Sequence, residues 1–217
     1  MGLEDIVARV RAAEEKAGRA PGSVRLIAVS KVQPDARVRA ALEGGHRVFG
    51  ENYVQEAAAK WPGFRAGFPG VELHMIGPLQ SNKARQAVEL FDAIHTLDRM
   101  SLARKIAAQI DAQGRAPQLF VQVNTGDEPQ KAGILVDELP GFLAECRALG
   151  LAPEGLMCIP PEADDPAPHF RLLRDLARDQ GLDALSMGMS ADFEQAIALG
   201  ATHVRVGSAI FGARDYS

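Results

Sequence analysis

Short apolar runs alternate with amphipathic stretches along the whole chain, and this pattern predicts repeated βα units. There are eight such runs, and most of them are continuously apolar. This is typical of parallel strands that helices cover on both faces. Helical patterns lie between nearly all of them. We predict strands at residues 25–30, 46–50, 71–77, 92–97, 118–124, 155–160, 184–188 and 203–207.

The segments between the predicted strands carry helix signals. Glycine follows several amphipathic stretches at the position where helices commonly end in a left-handed residue. A further amphipathic helix is predicted at the amino terminus, over residues 1–18. The glycines that we expect to end helices are Gly44, Gly114, Gly150, Gly181 and Gly200.

Eight βα units in 217 residues predict one α/β domain, a (β/α)8 TIM barrel over residues 1–217 with an extra helix at its amino terminus. A doubly wound open sheet is the alternative that the same alternation permits. No linker divides the chain, and we expect the irregular stretch 160–169 to be a long βα loop. A barrel predicts that functional side chains gather where the strands end, on the carboxyl-terminal face.

The composition excludes several classes of protein. With 24 basic and 28 acidic residues, the net charge of -4 gives no basic surface for nucleic acid. No apolar run reaches the roughly 18 residues of a membrane-spanning helix, and the acidic amino terminus is neither a secretory signal nor a typical transit peptide. Cys146 and Cys158 lack the spacing of a metal site, and we interpret them as buried, reduced thiols of a cytoplasmic protein.

Three polar residues lie in or directly after predicted strands, and the sequence leaves their roles open. Lys31 follows the first strand, where it either extends to solvent or presents a desolvated amine that attacks a carbonyl. Asn52 follows the second strand and either caps the next helix or contacts a ligand. His74 lies within the third strand, as a hydrogen-bonded core residue or as a ligand contact.

The ends of the last two strands predict an anion site. Ser190 is placed to begin a helix over 191–199, and a helix amino terminus with a nearby hydroxyl binds anions. Gly207 and Ser208 follow the last strand and offer backbone N–H groups to the same anion. Because phosphate often binds after strands seven and eight of such barrels, we predict that the ligand carries a phosphate.

An amine on one side of the barrel opening and a phosphate site on the other fit a ligand with both a phosphate and a carbonyl. Pyridoxal 5'-phosphate held by Lys31 as a Schiff base is one candidate, and the sugar phosphate of a Schiff-base aldolase is another. Arg205 lies inside the last strand. Its guanidinium either faces a pyridine nitrogen or pairs with a strand carboxylate.

Seven motifs, spread over nearly the whole length of the chain, carry a resemblance to a known family: LIAVSK, FGENYVQE, HMIGPLQSNK, GDEPQKAG, GLMCIPP, LSMGMSADFEQAI and VRVGSAIFGAR. With these motifs the chain resembles the YggS/PROSC family of pyridoxal phosphate homeostasis proteins. The resemblance implies the barrel of alanine racemase and a fold-type III site for pyridoxal phosphate.

The resemblance also implies the roles of particular residues. Lys31 would hold the internal aldimine, and Arg205 would face the ring nitrogen. Ser208 stands where many relatives have threonine, and both residues offer a hydroxyl and an N–H. The residues implied to bind the phosphate are Ser190, Gly207 and Ser208, and those implied to line the pocket are Asn52, His74 and Met189.

The function that the resemblance implies is control of vitamin B6 pools, with indirect effects on amino and keto acid balance. We expect no turnover, because Arg205 only donates and would keep the ring nitrogen unprotonated, which weakens the electron sink. Racemases of this fold take a tyrosine base from a second β domain, whereas this chain ends at Ser217 and has only Tyr53 and Tyr216. The alternative is a slow pyridoxal-phosphate-dependent amino-acid racemase or lyase.

The expected partners are the cofactor itself and apo-enzymes that receive it, with no nucleic acid and no membrane. We expect a monomer. Lys83 and Lys131 lie in loops that follow predicted strands. We hypothesise that they accept the aldehyde during transfer.

Overall fold

The computed structural model describes residues 2–212, and its strands pair in parallel into a closed ring. The strands are β1 Arg25–Val29, β2 Val48–Glu51, β3 Glu72–Met75, β4 Ala93–Leu97, β5 Gln118–Asn124, β6 Ile134–Leu135, β7 Gly155–Met157, β8 Ala184–Ser186 and β9 His203–Val206. The order is β4-β3-β2-β1-β9-β8-β7-β5, and β4 pairs with β5 to close the ring. The predicted barrel is therefore confirmed and the open sheet is wrong.

Helices follow the strands and cover the outside of the ring. They are α1 Leu3–Lys16, α2 Asp35–Glu43, α3 Val54–Gly67, α4 Ala84–Leu90, α5 Met100–Gln113, α6 Leu139–Ala148, α7 Pro166–Asp179, α8 Phe193–Ala198 and α9 Ser208–Phe211. The additional amino-terminal helix is confirmed as α1. That residues 1–217 form one domain stays a prediction.

The eight predicted strands all form, with small differences in the segments around them. The two-residue strand β6 pairs with β5 and was not predicted. Helix α7 begins at Pro166, inside the stretch predicted to be a loop, because Asp165 caps it by accepting the Ala167 N–H at 3.1 Å.

Most of the glycines predicted to end helices adopt the left-handed conformation, and one does not. Gly114 follows α5 with φ 63°, and Gly150, Gly181 and Gly200 also have positive φ. After α2 the left-handed residue is Gly45, with φ 88°. Gly44 still donates its N–H to the Ala40 carbonyl at 2.9 Å, so the chain reverses one residue later than predicted.

Alternation along the strands decides which side chains face the barrel axis. On β2, Phe49 and Glu51 lie against Trp61 of α3. Gly50, between them, faces the axis, where a Cβ would lie 2.8 Å from Cγ2 of Ile27. Ser30 contacts Glu51 on the helix side. Strand β1 ends at Val29, and Lys31 follows in a turn at the carboxyl-terminal end of the barrel.

The composition-based expectations can be compared with the described residues. Cys146 and Cys158 are buried and not disulfide-bonded, as predicted. Burial raises the pKa of the Cys146 thiol to about 11 and that of the Cys158 thiol to about 12, so both are poor nucleophiles. Among residues 2–212 no helix is long and apolar enough to cross a membrane.

Candidate functional site at the barrel mouth

Three adjacent strands bring most of the predicted site residues to the carboxyl-terminal face of the barrel, here called the mouth. Strand β9 lies between β8 and β1. Ser190, after β8, accepts the Gly207 N–H and the Ser208 hydroxyl, each at 3.3 Å. A Cβ on Gly207 would lie 3.2 Å from Cβ of Val29 near the end of β1. The segment that leads to Lys31 therefore lies beside this hydroxyl-and-amide group.

Ser190 does not begin a helix, and that part of the prediction is wrong. Helix α8 begins only at Phe193, and the Asp192 carboxylate accepts the Met189 N–H at 2.5 Å. This contact closes a turn, so the chain reaches helical geometry three residues after Ser190. The anion-binding chemistry here comes from the Ser190 and Ser208 hydroxyls and the nearby backbone, while Met189 is 39% exposed beside them.

Arg205 is buried inside the barrel and has neutral hydrogen-bond partners. Its Nη1 donates to Ser186 Oγ at 2.7 Å and its Nη2 to the Cys158 carbonyl at 2.9 Å. Within residues 2–212 no carboxylate lies at ion-pair distance from Arg205, so the predicted alternative of a strand carboxylate is wrong. Burial lowers the pKa of Arg205. A buried cation with neutral partners is costly, and a ligand acceptor offsets that cost.

A chain of hydrogen bonds crosses the barrel interior from Arg205. Ser186 Oγ lies 2.8 Å from Nδ1 of His95, and Nε2 of His95 lies 2.9 Å from Nδ1 of His74. A guanidinium only donates, so Ser186 Oγ accepts a hydrogen bond from Arg205. His95 links Ser186 to His74 through its two ring nitrogens. Both imidazoles are neutral in this arrangement, in agreement with the lowered pKa that burial gives each of them.

His74 therefore has a partner within the core, as one of its two sequence interpretations expected. It is 1% exposed. That His74 also lines a ligand pocket stays a prediction, as it does for Met189.

The free energy of unfolding is expected to fall as the pH is lowered from 7 to 4. Burial lowers the pKa of four histidines from the usual 6.5, and that of His203 falls to about 3. As the pH drops, the unfolded chain therefore binds these protons before the folded protein does, and acid favours unfolding by up to about 1.4 kcal/mol per histidine and pH unit. The four are His46, His74, His95 and His203.

Urea unfolding at pH 7, 6, 5 and 4 measures this dependence. Burial raises the pKa of Glu51. At this residue the folded protein binds a proton before the unfolded chain does, so Glu51 opposes the fall in unfolding free energy as the pH decreases. The variant His203→Asn removes one of the four histidine titrations and should reduce the slope. An unfolding midpoint that is constant between pH 7 and pH 5 would contradict the prediction.

Asn52 does not cap a helix. Tyr53 occupies the residue before α3, and Oδ1 of Asn52 is buried with no hydrogen-bond partner among the described residues. The segment after β3 packs closely on it, because a Cβ on Gly77 would lie 2.5 Å from the Asn52 carbonyl oxygen. An unsatisfied buried acceptor in a native protein calls for a donor from a ligand or water, so the ligand interpretation of Asn52 remains.

The two other lysines considered for the mouth have different surroundings. Lys83 ends a short 3-10 turn over Ser81–Lys83. Lys131 forms an ion pair with Oε2 of Glu128 at 2.6 Å and donates to the Pro160 carbonyl at 3.3 Å. Its ammonium is held between two loops of the mouth. That either lysine accepts an aldehyde stays a prediction.

Sequence reasoning missed several residues that support the site. The sequence gives His95 no role beyond a possible helix cap, and it does not single out Ser186, Glu56 or Lys60. Glu51 is expected at the mouth from its place after the second strand, but it lies behind β1, where it is joined to Lys60 by a hydrogen bond, as Lys60 is to Glu56. The sequence contains one indication of the contact between Glu56 and Lys60. Glu56 and Lys60 are spaced i,i+4 on the predicted helix, as in an ion pair.

A closed parallel barrel with a lysine after β1 and a hydroxyl-and-amide group after β8 and β9 agrees with the alanine racemase class of barrels. The chain belongs to the family of the alanine racemase N-terminal domain, whose model matches residues 2–215. The family prediction is thus confirmed.

Two relatives in sequence carry the same name. The chain is 46% identical over 220 residues to the pyridoxal phosphate homeostasis protein of Pseudomonas aeruginosa, with 99% of this chain and 95% of that protein covered. It is 42% identical over 227 residues to the protein of that name from Escherichia coli K12, with coverage of 99% and 96%. Its structure is similar to that of PipY from Synechococcus elongatus with pyridoxal phosphate bound, at 39% identity and a TM-score of 0.80 over 94% of this chain and 99% of that one.

Proposed function

We propose that this chain binds pyridoxal 5'-phosphate (PLP) at the mouth, covalently through Lys31, and takes part in intracellular PLP homeostasis. The observation that carries the proposal is the arrangement on β8, β9 and β1. Ser190, Gly207 and Ser208 cluster after the first two strands, and the buried Arg205 lies on β9 opposite Ile27 of β1. The chain thus offers an anion site, a buried cation and an amine side by side.

The residues fit the chemical groups of PLP. The hydroxyls of Ser190 and Ser208 and the Gly207 N–H would bind the phosphate, and Arg205 would donate to the ring nitrogen. Arg205 has no carboxylate at ion-pair distance among residues 2–212, so an additional acceptor compensates its burial. The unsatisfied Oδ1 of Asn52 offers one more polar contact. Bound PLP would supply a reactive aldehyde, which the Lys31 amine holds reversibly.

We infer that the protein acts as a carrier rather than as an enzyme. Arg205 remains protonated and only donates, so it disfavours a proton on the ring nitrogen, and this weakens the cofactor as an electron sink. The hydrogen-bond chain through Ser186, His95 and His74 fixes the guanidinium in this role. Recipients would be PLP-dependent apo-enzymes in the cytoplasm, and buried, unpaired thiols are compatible with a reducing compartment.

Spectral titration of the apo-protein with PLP tests the binding proposal. We expect a yellow C=N absorbance that saturates at one equivalent. Borohydride reduction followed by peptide mass mapping should place the label on Lys31. Titration without a chromophore, which a Schiff-base aldolase predicts, would refute the proposal.

Solvent exchange separates the carrier from a slow racemase or lyase. The PLP-loaded protein is incubated with single amino-acid enantiomers in deuterated water. A carrier leaves Cα protonated and the enantiomer intact. Deuterium at Cα together with turnover would establish an enzyme instead.

A further inference from the structure

Helix α3 holds the backbone on both sides of Lys31. Lys60 Nζ donates to the Ser30 carbonyl at 3.0 Å, directly before Lys31. Oε1 of Glu56 accepts the Val32 N–H at 2.7 Å, directly after it. Lys60 and Glu56 are themselves joined at 2.9 Å. The two side chains thus form one clamp, which we call the Lys60–Glu56 clamp, on the two peptide groups that flank Lys31.

The head group of Lys60 is buried and each of its donors has an acceptor, whereas the Glu56 side chain is 25% exposed. The third acceptor is Oε1 of Glu51 at 3.2 Å, which also accepts Ser30 Oγ at 2.8 Å and Trp61 Nε1 at 3.0 Å. The Lys60 side chain is 8% exposed and that of Glu51 is 0% exposed. Because an ammonium has three donors, the Lys60 head group is fully satisfied. A buried arrangement of this kind is rigid and is disrupted by the loss of any one partner.

The clamp also stabilises an unfavourable turn. Val32 has φ 54°, in the left-handed region, although its side chain is β-branched. Such a conformation persists only where the surroundings enforce it, and outliers of this kind cluster at functional sites. The Glu56 contact to the Val32 N–H provides this enforcement at the residue after Lys31. The turn in turn sets the direction in which the Lys31 side chain leaves the backbone.

We propose that Lys60 and Glu56 are positioning residues for the Lys31 amine. This inference rests on the proposed function. When the amine adds to the aldehyde, a C=N bond forms, the amine loses two hydrogens, and one water leaves with the aldehyde oxygen. The yield of this condensation depends on where the amine is held, since misplacement of a reacting group by about 1 Å is costly. Ser30 and Glu51 lie on the helix side of the sheet, so the clamp acts through the backbone and touches no ligand.

Two ligands separate positioning from general damage. PLP and pyridoxine 5'-phosphate share the ring and the phosphate, but only PLP has an aldehyde. Each is titrated into the apo forms of wild type, Lys60→Met and Lys60→Arg. The variant Lys105→Met is the matched control, since it makes the same change at an exposed position of α5.

In Lys60→Met we expect PLP affinity to fall about tenfold and C=N formation to slow, with affinity for pyridoxine 5'-phosphate unchanged. Lys60→Arg keeps a charged donor and should recover part of the loss. Lys105→Met should match wild type for both ligands. If Lys60→Met does not fold, Glu56→Gln takes its place, because it keeps an acceptor oxygen for Val32 but removes the ion pair, and a smaller loss confined to PLP is expected.

Two results would overturn the positioning role while leaving the proposed function intact. One is equal PLP affinity and equal rate in the clamp variants and wild type. The other is an equal loss for both ligands, which indicates damage to the whole site. A wild type that forms no C=N bond with PLP would instead refute the proposed function, and the role of the clamp with it.

Discussion

The variant Lys31→Ala is expected to lose all covalent attachment of PLP. The methyl side chain has no amine to condense with the aldehyde, so the C=N absorbance disappears and borohydride leaves no label on this peptide. Affinity should fall about 100-fold rather than vanish, because the phosphate contacts and Arg205 remain. Spectral titration and peptide mass mapping of the reduced protein measure both effects.

The control for this variant is Lys105→Ala, which removes an exposed lysine from α5 and should titrate like wild type. Residual C=N absorbance near neutral pH in Lys31→Ala would indicate a second acceptor, for which Lys83 and Lys131 are the candidates. Its absence makes a second lysine site untenable. A wild-type protein labelled elsewhere, with Lys31 unmodified, would contradict the prediction.

The variant Gly155→Ala is expected to destabilise the barrel by about 3 kcal/mol. Gly155 of β7 lies opposite Ala184 of β8 in the ladder. A Cβ there would overlap the Ala184 carbonyl oxygen and lie 2.7 Å from its carbon. Backbone atoms of a paired strand cannot move aside as a flexible side chain does, so the two strands must separate. Urea unfolding at pH 7 measures the change.

The matched control is Gly63→Ala, the same substitution at an exposed position inside α3 with nothing within 4 Å. It should stabilise the protein by about 0.5–1 kcal/mol, since alanine is the better helix former. A Gly155→Ala protein as stable as wild type would contradict the prediction, because it would show that β7 and β8 accommodate the added methyl group.

The succession of strands and helices could be predicted from the sequence because it depends on local signals. Continuous apolar runs are buried on both faces of a parallel sheet wherever they occur, and glycines end helices through their own backbone freedom. The predictions failed where a single hydrogen bond shifted a boundary. Asp192 delayed the start of α8 to Phe193, and the hydrogen bond of Gly44 moved the reversal after α2 to Gly45.

In the candidate site, too, some residues could be predicted from the sequence and others could not. Lys31, Ser190, Gly207 and Ser208 were found because they follow strands, and the fold class says that strand ends meet at the mouth. The partners of Arg205 were not found. Ser186 and Cys158 are 19 and 47 residues from Arg205 in sequence, and no local pattern marks residues so far apart as neighbours.

By itself, the amino-acid sequence determined that this protein is an α/β barrel and which strand ends carry an amine and an anion site, because periodicity and strand position are written in neighbouring residues. Only the tertiary structure decided what holds these groups in place. The Lys60–Glu56 clamp joins the end of β1 to α3. The chain of hydrogen bonds that starts at Arg205 joins β9, β8, β4 and β3. Such contacts depend on which elements the closed ring brings together. Strand order and register determine this, and no local sequence pattern does.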